Sequence, residues 1–129
     1  MTKIFVNLPS NDLDRSRAFY TALGASINPL FSDENAICVV WSDDVYFMVL
    51  RREYLATFTE KPIVDPATSA QVSISFSKDS REEVDATVSA GLAAGGSEAG
   101  EAQDYGFMYQ RNVTDPDGNI IDFIYMETQ

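Results

Sequence analysis

Apolar and polar side chains alternate along residues 3–8, which is the pattern of a strand with one buried face. Pro9 ends that strand, and Asp12 can cap a helix over residues 13–23 that Gly24 closes. Three further strand-like stretches follow this helix, at residues 25–31, 36–41 and 45–50. The first part of the chain therefore predicts a βαβββ unit.

The same order of elements returns in the second part of the chain. Residues 71–77 alternate again, and a helix starts at Ser80, where Glu83 completes a capping box. A pair of glycines ends this helix. Three strand-like stretches follow it, at residues 97–102, 107–114 and 120–126. The sequence therefore predicts an internal repeat.

The repeat and the segment between its copies define the predicted organisation. The two strand–helix starts superpose with a shift of 68 residues, which places Val72 on Ile4. Two prolines punctuate the segment between the copies, and a short helix is predicted where it begins. We expect one compact domain made of a first module, a connector and a second module, at residues 1–50, 51–70 and 71–129.

Composition narrows the classes of function. The chain has 20 acidic and 9 basic residues, and its net charge of −11 disfavours nucleic acid and membrane surfaces as partners. It has no histidine, which excludes imidazole catalysis and histidine metal sites. The single cysteine, Cys38, excludes an intrachain disulfide and is predicted to be buried in a strand. No apolar run approaches the ~20 residues that span a bilayer, so we expect a cytoplasmic protein.

Two motifs give the chain a family resemblance, one over residues 12–24 and one over residues 115–122. The first reads Asp-Leu-x-x-Ser-x-x-Phe-Tyr-x-x-Leu-Gly, and the second reads Asp-Pro-Asp-Gly-Asn-x-x-Asp. With these two motifs in this order, the chain resembles the vicinal oxygen chelate superfamily, which includes glyoxalase I, bleomycin-resistance proteins and extradiol dioxygenases. The resemblance implies an α+β fold of two tandem βαβββ modules, whose curled mixed sheets form a cup with the helices outside. It also implies a homodimer.

The resemblance further implies where a metal ion would be held. Phe5 and Ser73 occupy the first-strand ligand positions of the two modules, and Met48 or Val49 falls near the fourth-strand position. Asp122 matches the carboxylate that follows the Asp-Pro-Asp-Gly turn. A phenyl ring cannot coordinate a divalent ion, and serine is a weak ligand beside carboxylate and imidazole. Since only Asp122 is a strong ligand, we expect neither a metal ion nor another cofactor.

The hairpin between the last two strands determines which of their side chains share a face. If Asp115 faces Asn119 around a three-residue loop, then Asp122 pairs with Asn112 across the hairpin. Arg111 then lies on the opposite face, which is otherwise apolar, and the pattern gives no reason for its presence there.

The face that carries Asp122 is the predicted ligand-binding face of the cup. Apolar walls with a few hydrogen-bonding groups are typical of small-molecule pockets. The tryptophan borders either this pocket or a subunit interface, and the sequence does not decide between them. The predicted ligand-binding residues are Phe5, Asn7, Trp41, Ser73, Met108, Gln110, Asn112 and Asp122.

Asp122 has three interpretations: a solvated remnant of a metal site, a ligand-binding group, or a general acid or base. Our leading hypothesis is a metal-free small-molecule binding protein that sequesters its guest, with an acidic cup that favours a cationic molecule. The alternative is a glyoxalase-like lyase or isomerase that uses an atypical metal site or Asp122 as the base. A third hypothesis is a partner-binding module whose cup is filled by its own side chains. The identity of the ligand, and whether modules pair within or between chains, stay open.

Overall fold

The computed structural model describes residues 2–127. The first half contains β1 (Ile4–Ser10), α1 (Leu13–Ala22), β2 (Ser26–Ile27), β3 (Ala36–Val40), β4 (Val45–Arg51) and the short helix α2 (Arg52–Leu55). The second half contains β5 (Ser73–Ser77), α3 (Arg81–Ala93), β6 (Gln103–Asp104), β7 (Met108–Thr114) and β8 (Ile120–Met126). Short 3₁₀ turns lie at Pro29–Phe31 and Ala56–Phe58.

The strands form two four-stranded mixed sheets with the same topology. Their orders are β1-β4-β3-β2 and β5-β8-β7-β6. In each sheet the first strand runs parallel to the last strand of its own half, and the other pairs are antiparallel. The predicted α+β fold of two tandem βαβββ units is therefore confirmed.

The predicted signals start both long helices. Asp12 caps α1, because its Oδ1 accepts hydrogen bonds from the backbone N–H groups of Asp14 and Arg15. Ser80 caps α3, because its Oγ accepts from the N–H of Glu83 at 3.1 Å. The Glu83 carboxylate in turn accepts from the backbone N–H of Asp79, one residue before the N-cap, which is a variant of the capping box.

Two predicted strands are wrong in extent. The stretch at 25–31 contains only the two-residue β2, because Pro29 has no N–H and Asn28 caps a 3₁₀ turn by accepting from Leu30 N. The stretch at 97–102 makes a single bridge, at Ser97, and the strand forms later as β6. Residues 98–102 contain no large apolar side chain, so burial does not hold them in the sheet.

One hydrophobic core serves both halves of the chain. It is built from the helix-facing sides of the two sheets and from α1 and α3, which contact each other. Phe19 on α1 shows how close these halves are: a side chain on Gly96, just after α3, would approach the Phe19 ring to 2.6 Å. The fully buried core residues are Phe19, Tyr20, Ile37, Val39, Phe47, Val49, Val84, Val88, Val113, Ile121 and Phe123.

A polar junction joins the β7–β8 turn to the first half. The turn closes as predicted, since Asp115 N donates to Asn119 O at 2.9 Å. Asp115 also accepts from the hydroxyl of the fully buried Tyr20 at 2.7 Å, and Asp117 accepts from the backbone N–H of Asn11. Gly118 has φ of +108°, and a Cβ there would meet a backbone oxygen of the connector at 2.6 Å.

Two expectations from composition concern burial and membranes. Cys38 lies in β3 and is 1% exposed, as predicted, and burial raises the pKa of its thiol. Within residues 2–127, no helix combines the length and the apolar character that crossing a bilayer requires.

Candidate functional site

The predicted register of the last hairpin is confirmed. Asp122 on β8 lies opposite Asn112 on β7. The pairs on either side follow the same register, with Gln110 opposite Ile124 and Met108 opposite Met126. Because side chains alternate along a strand, Asn112, Gln110, Met108 and Asp122 share one face of the second sheet.

Asp122 lies buried on this face with one hydrogen-bond partner. Its residue exposure is 6%, and its Oδ2 accepts from Ser75 Oγ at 3.0 Å. The opposite residue, Asn112, has a buried Oδ1 that accepts no hydrogen bond within residues 2–127. Two residues that carry hydrogen-bond acceptors, a carboxylate and an unpartnered amide oxygen, are therefore cross-strand neighbours in this hairpin.

Ser75 is a site residue that the sequence analysis missed. In β5 it pairs with Asp122, whereas the predicted Ser73 pairs with Ile120, two positions along the strand. The signal was present, because the repeat shift of 68 residues that places Ser73 on Phe5 also places Ser75 on Asn7. Asn7 was among the predicted site residues and its repeat partner was not.

The pocket beside Asp122 is large enough for a small molecule. It has a volume of about 530 Å³, and its lining residues are Ser75, Phe76, Ser77, Lys78, Asp79, Ile124, Tyr125 and Met126. Ser75 both lines this pocket and donates a hydrogen bond to Asp122. The carboxylate of Asp122 therefore lies one side chain away from the pocket.

Phe5 and Asn7 lie on β1 in the other sheet, not with Asp122 on the second sheet. The ring of Phe5 is half exposed and stacks on Tyr46 with centroids 4.7 Å apart. Asn7 borders a separate pocket of about 450 Å³, with Met48 and Tyr54 among its walls. The predicted residues therefore divide between the two sheets.

Trp41 lies directly after β3 and packs against the hydrophobic core. Its ring contacts Phe47 and Phe76, with centroids 5.4 and 4.6 Å away, and it meets Tyr20 edge-on. Trp41 therefore packs where aromatic rings of the two halves meet, and it does not lie beside Asp122.

Arg111 is explained by ion pairs. Its guanidinium lies 2.9 Å from Asp85 and 3.2 Å from Glu98. The Tyr109 hydroxyl donates to the same Asp85 carboxylate, and the pKa of Asp85 is lowered by this hydrogen bond and by Arg111. Arg111 thus ties β7 to α3.

The polar junction contains two ionisable side chains, Tyr20 and Asp115, with raised pKa values. Burial, with the neighbouring Asp115, raises the pKa of Tyr20 well above its usual value. Burial also raises the pKa of Asp115, although hydrogen bonds from Tyr20 and Asn119 oppose this shift. All their partners are protein groups in the junction, so we assign these residues a structural role.

Several known proteins have the same fold as this chain. Residues 2–42 match the family of bleomycin resistance protein-like N-terminal regions. A hypothetical protein from S. aureus superposes with a TM-score of 0.82 at 23% identity, over 97% of this chain and 94% of its own. A glyoxalase/bleomycin resistance protein from Albidiferax ferrireducens superposes with a TM-score of 0.69 at 27% identity, over 94% and 95%. The fold is that of the vicinal oxygen chelate superfamily.

The resemblance of the sequence motifs to this superfamily is thereby confirmed. A bleomycin resistance determinant encoded on the transposon Tn5 also superposes, with a TM-score of 0.65 at 22% identity, over 99% of this chain and 100% of its own. No curated protein matches the sequence.

The residues at the metal positions implied by the superfamily do not fit a divalent ion. Phe5 presents a ring, Met48 faces Cys38 and Asn7, and Ser73 is opposite an isoleucine. No group of three or more cysteine or acidic side chains within residues 2–127 could hold a metal ion. We therefore assign no chemical step to a metal in this chain.

Proposed function

We propose that this protein binds a cationic small molecule on the second sheet and sequesters it without chemical change. The observation that carries this proposal is the pair of acceptors formed by buried Asp122 and the unpartnered Oδ1 of Asn112. Ser75 already donates its hydroxyl hydrogen to Asp122. The Asp122 carboxylate and Asn112 Oδ1 can therefore accept further hydrogen bonds. An ammonium, amidinium or guanidinium group supplies the donors.

Charge and shape support the same class of guest. The net charge of −11 attracts cations over a distance and favours their encounter with the protein. A hydrogen bond between a charged donor and a carboxylate contributes about 1.5–3 kcal/mol. The apolar side chains of Ile124 and Met126 in the adjoining pocket would contact the remainder of the guest.

The comparisons support a bleomycin-resistance-like protein, which is the class of protein that this proposal takes as its model. The Tn5 protein is described as a bleomycin resistance determinant. Residues 2–42 of this chain match the family of bleomycin resistance protein-like N-terminal regions. Because the same fold carries unrelated functions, the donor and acceptor groups of the site determine the proposal more than the fold does.

The test is calorimetric titration with benzamidine, which is a cation at neutral pH, beside neutral benzamide. We expect saturable binding of benzamidine, weaker or absent binding of benzamide, and at least about tenfold weaker benzamidine binding by Asp122→Asn. The control Glu101→Gln removes the same charge from an exposed position. Equal affinity of Asp122→Asn and Glu101→Gln for benzamidine would contradict the proposed site.

The alternative function is a glyoxalase-like lyase or isomerase. It is favoured by the position of Asp122, a buried carboxylate that follows the Asp-Pro-Asp-Gly turn as the superfamily resemblance implies. Metal analysis of protein purified without chelators, followed by titration with zinc, nickel and manganese, separates the two functions. One tightly bound ion per chain would overturn the sequestration proposal.

We also propose that the protein is a homodimer. Large apolar side chains are exposed on strands and loops of both halves of the chain, and a subunit interface would remove them from water. They include Ile4, Phe5, Leu30, Phe31, Phe107 and Met126. Light scattering should give about twice the chain mass of 14.3 kDa, and a mass equal to one chain would contradict the dimer. The cytoplasmic location stays a prediction from the sequence.

A further inference from the structure

A second cleft lies where the two halves of the chain meet, next to the pocket that adjoins Asp122. It has a volume of about 200 Å³. Trp41, Ser42 and Val45 line it from the first half of the chain, and Phe76, Ser77, Lys78 and Phe123 line it from the second half. This volume is smaller than the ~300–1,000 Å³ typical of sites for drug-sized ligands. The cleft would therefore admit a molecule of about one ring.

Aromatic rings form the apolar part of this cleft. The centroids of Trp41 and Phe76 are 4.6 Å apart, and those of Phe76 and Phe123 are 6.1 Å apart. Side chains from both halves thus form one continuous aromatic wall, which suits an apolar or aromatic group.

A buried donor without an acceptor lies in the same wall. The indole Nε1 of Trp41 is buried and makes no hydrogen bond within residues 2–127. Indole nitrogen can only donate, and a buried donor without a partner costs about 1–3 kcal/mol. An acceptor that reaches Nε1 from the cleft would recover that free energy.

Lys78 supplies a cation at the cleft. It is half-buried, and its Nζ lies 5.5 Å from the centroid of the Phe123 ring. Within residues 2–127 it forms no ion pair, although the chain has 20 acidic residues to 9 basic ones. Most other basic side chains are paired with carboxylates, namely Lys3, Arg15, Arg17, Arg51, Arg81 and Arg111.

We propose that this cleft binds the carboxylate of a small aromatic acid. The carboxylate oxygens accept hydrogen bonds from Trp41 Nε1 and Lys78 Nζ, and the ring of the acid packs on the half-buried Phe76. This site is the opposite of the Asp122 site in polarity, because its polar groups are donors. The two pockets adjoin, since Phe76, Ser77 and Lys78 line both of them. The proposals depend on different polar groups, because the guest of the first meets Asp122 and the guest of the second meets Lys78.

The negative surface of the protein limits the affinity of this cleft for an anion. Asp79 lines the neighbouring pocket, and Asp43 and Asp44 follow Ser42 in the chain. These carboxylates repel an anion that approaches, and salt reduces that repulsion. The test therefore uses moderate salt and a wide range of acid concentration.

The test uses Trp41, which is the single tryptophan of the chain, as its own reporter. Benzoate is titrated while tryptophan emission is followed, with benzyl alcohol as the neutral probe of similar shape. We expect a saturable change in emission with benzoate and little change with benzyl alcohol. Lys78→Gln should bind benzoate at least about tenfold more weakly.

Two further variants make the result decisive. Lys61→Gln removes the same charge at an exposed lysine away from the cleft and should bind benzoate as the unmodified protein does. Trp41→Phe keeps an aromatic ring without the donor, and its benzoate affinity, measured by ligand-observed NMR, should also fall. Circular dichroism checks that each variant is folded. No saturable response of the unmodified protein, or equal effects of Lys78→Gln and Lys61→Gln, would overturn the proposal.

Discussion

The two sheets have the same topology but different chemistry at equivalent positions. In the first sheet Asn7 pairs with Met48, which pairs with Cys38. In the second sheet the repeat partner of Asn7, Ser75, pairs with Asp122, which pairs with Asn112. We refer to Asn7, Met48 and Cys38 as the first row and to Ser75, Asp122 and Asn112 as the second row.

The difference between the rows lies in their hydrogen-bonding groups. Two sulfur-containing side chains lie side by side in the first row, and Cys38 is fully buried. The second row has a carboxylate and an amide oxygen at the same two places. The two sheets therefore share a backbone arrangement. In each sheet, two side chains determine whether the row is apolar or carries hydrogen-bond acceptors.

The largest expected effect comes from placing a carboxyl group in the first row. In Cys38→Asp a carboxyl group would occupy a position that is 1% exposed, where burial already raises the pKa of the native thiol. An uncompensated buried charge should lower the free energy of unfolding by about 3–5 kcal/mol, as measured by urea denaturation. Cys38→Ala, which introduces no charge, should cost about 1 kcal/mol. Equal costs would show that the first row tolerates polar groups.

The next effect tests the junction that holds the two sheets together. Tyr20→Phe removes the hydroxyl that donates to Asp115 at 2.7 Å, and should cost about 2 kcal/mol. Tyr46→Phe removes an exposed hydroxyl bond in the first half and should change stability by less than about 0.5 kcal/mol. Equal effects of the two substitutions would contradict a structural role for the Tyr20–Asp115 contact.

The cost of Tyr20→Phe should also depend on pH. Burial raises the folded-state pKa of Asp115, so its contribution to stability is present at low pH and is lost as pH rises through that pKa. The Tyr20 hydrogen bond opposes the raised pKa, so Tyr20→Phe should lose more stability at neutral pH than at acidic pH. Thermal unfolding of Tyr20→Phe and of the unmodified protein at a series of pH values measures this dependence. A stability difference that does not change with pH would show that folding does not shift the pKa of Asp115.

Local signals made much of this frame predictable. The three-residue turn between Asp115 and Asn119 fixes the pairing of Asp122 with Asn112, because a hairpin register follows from its loop. The short β2 was not foreseen, because its alternating pattern continues into a 3₁₀ turn at Pro29. The division of the chain at residues 1–50, 51–70 and 71–129 stays a prediction.

The candidate site was harder to predict because it depends on contacts between distant residues. The pairing of β5 with β8 is parallel and non-local, so no turn indicates whether Ser73 or Ser75 meets Asp122. Trp41 packs on Phe76 from the other half of the chain, a contact that strand alternation alone does not reveal. Arg111 likewise finds its partners on α3 and beyond it.

A smaller effect is expected when the acid of the second row is removed. Asp122 is 6% exposed with one hydrogen bond, so its ionised form is costly to bury. Asp122→Leu should leave the free energy of unfolding unchanged or raise it by about 1 kcal/mol, while benzamidine binding is lost. Met48→Leu, at the equivalent place in the first row, should alter stability by less than about 1.5 kcal/mol. A loss above about 2 kcal/mol in Asp122→Leu would identify Asp122 as a structural group.

The smallest expected difference concerns the first members of the two rows. Ser75 donates to Asp122, whereas the Asn7 side chain makes no hydrogen bond within residues 2–127. Ser75→Ala should therefore cost about 1 kcal/mol in urea denaturation, and Asn7→Ala less than about 0.5 kcal/mol. Benzamidine should still bind to Ser75→Ala within about threefold, because the donors of the guest can replace the lost hydroxyl at the carboxylate. Loss of binding as large as in Asp122→Asn would instead show that Ser75 contacts the guest directly, and the second row would then act as three binding groups.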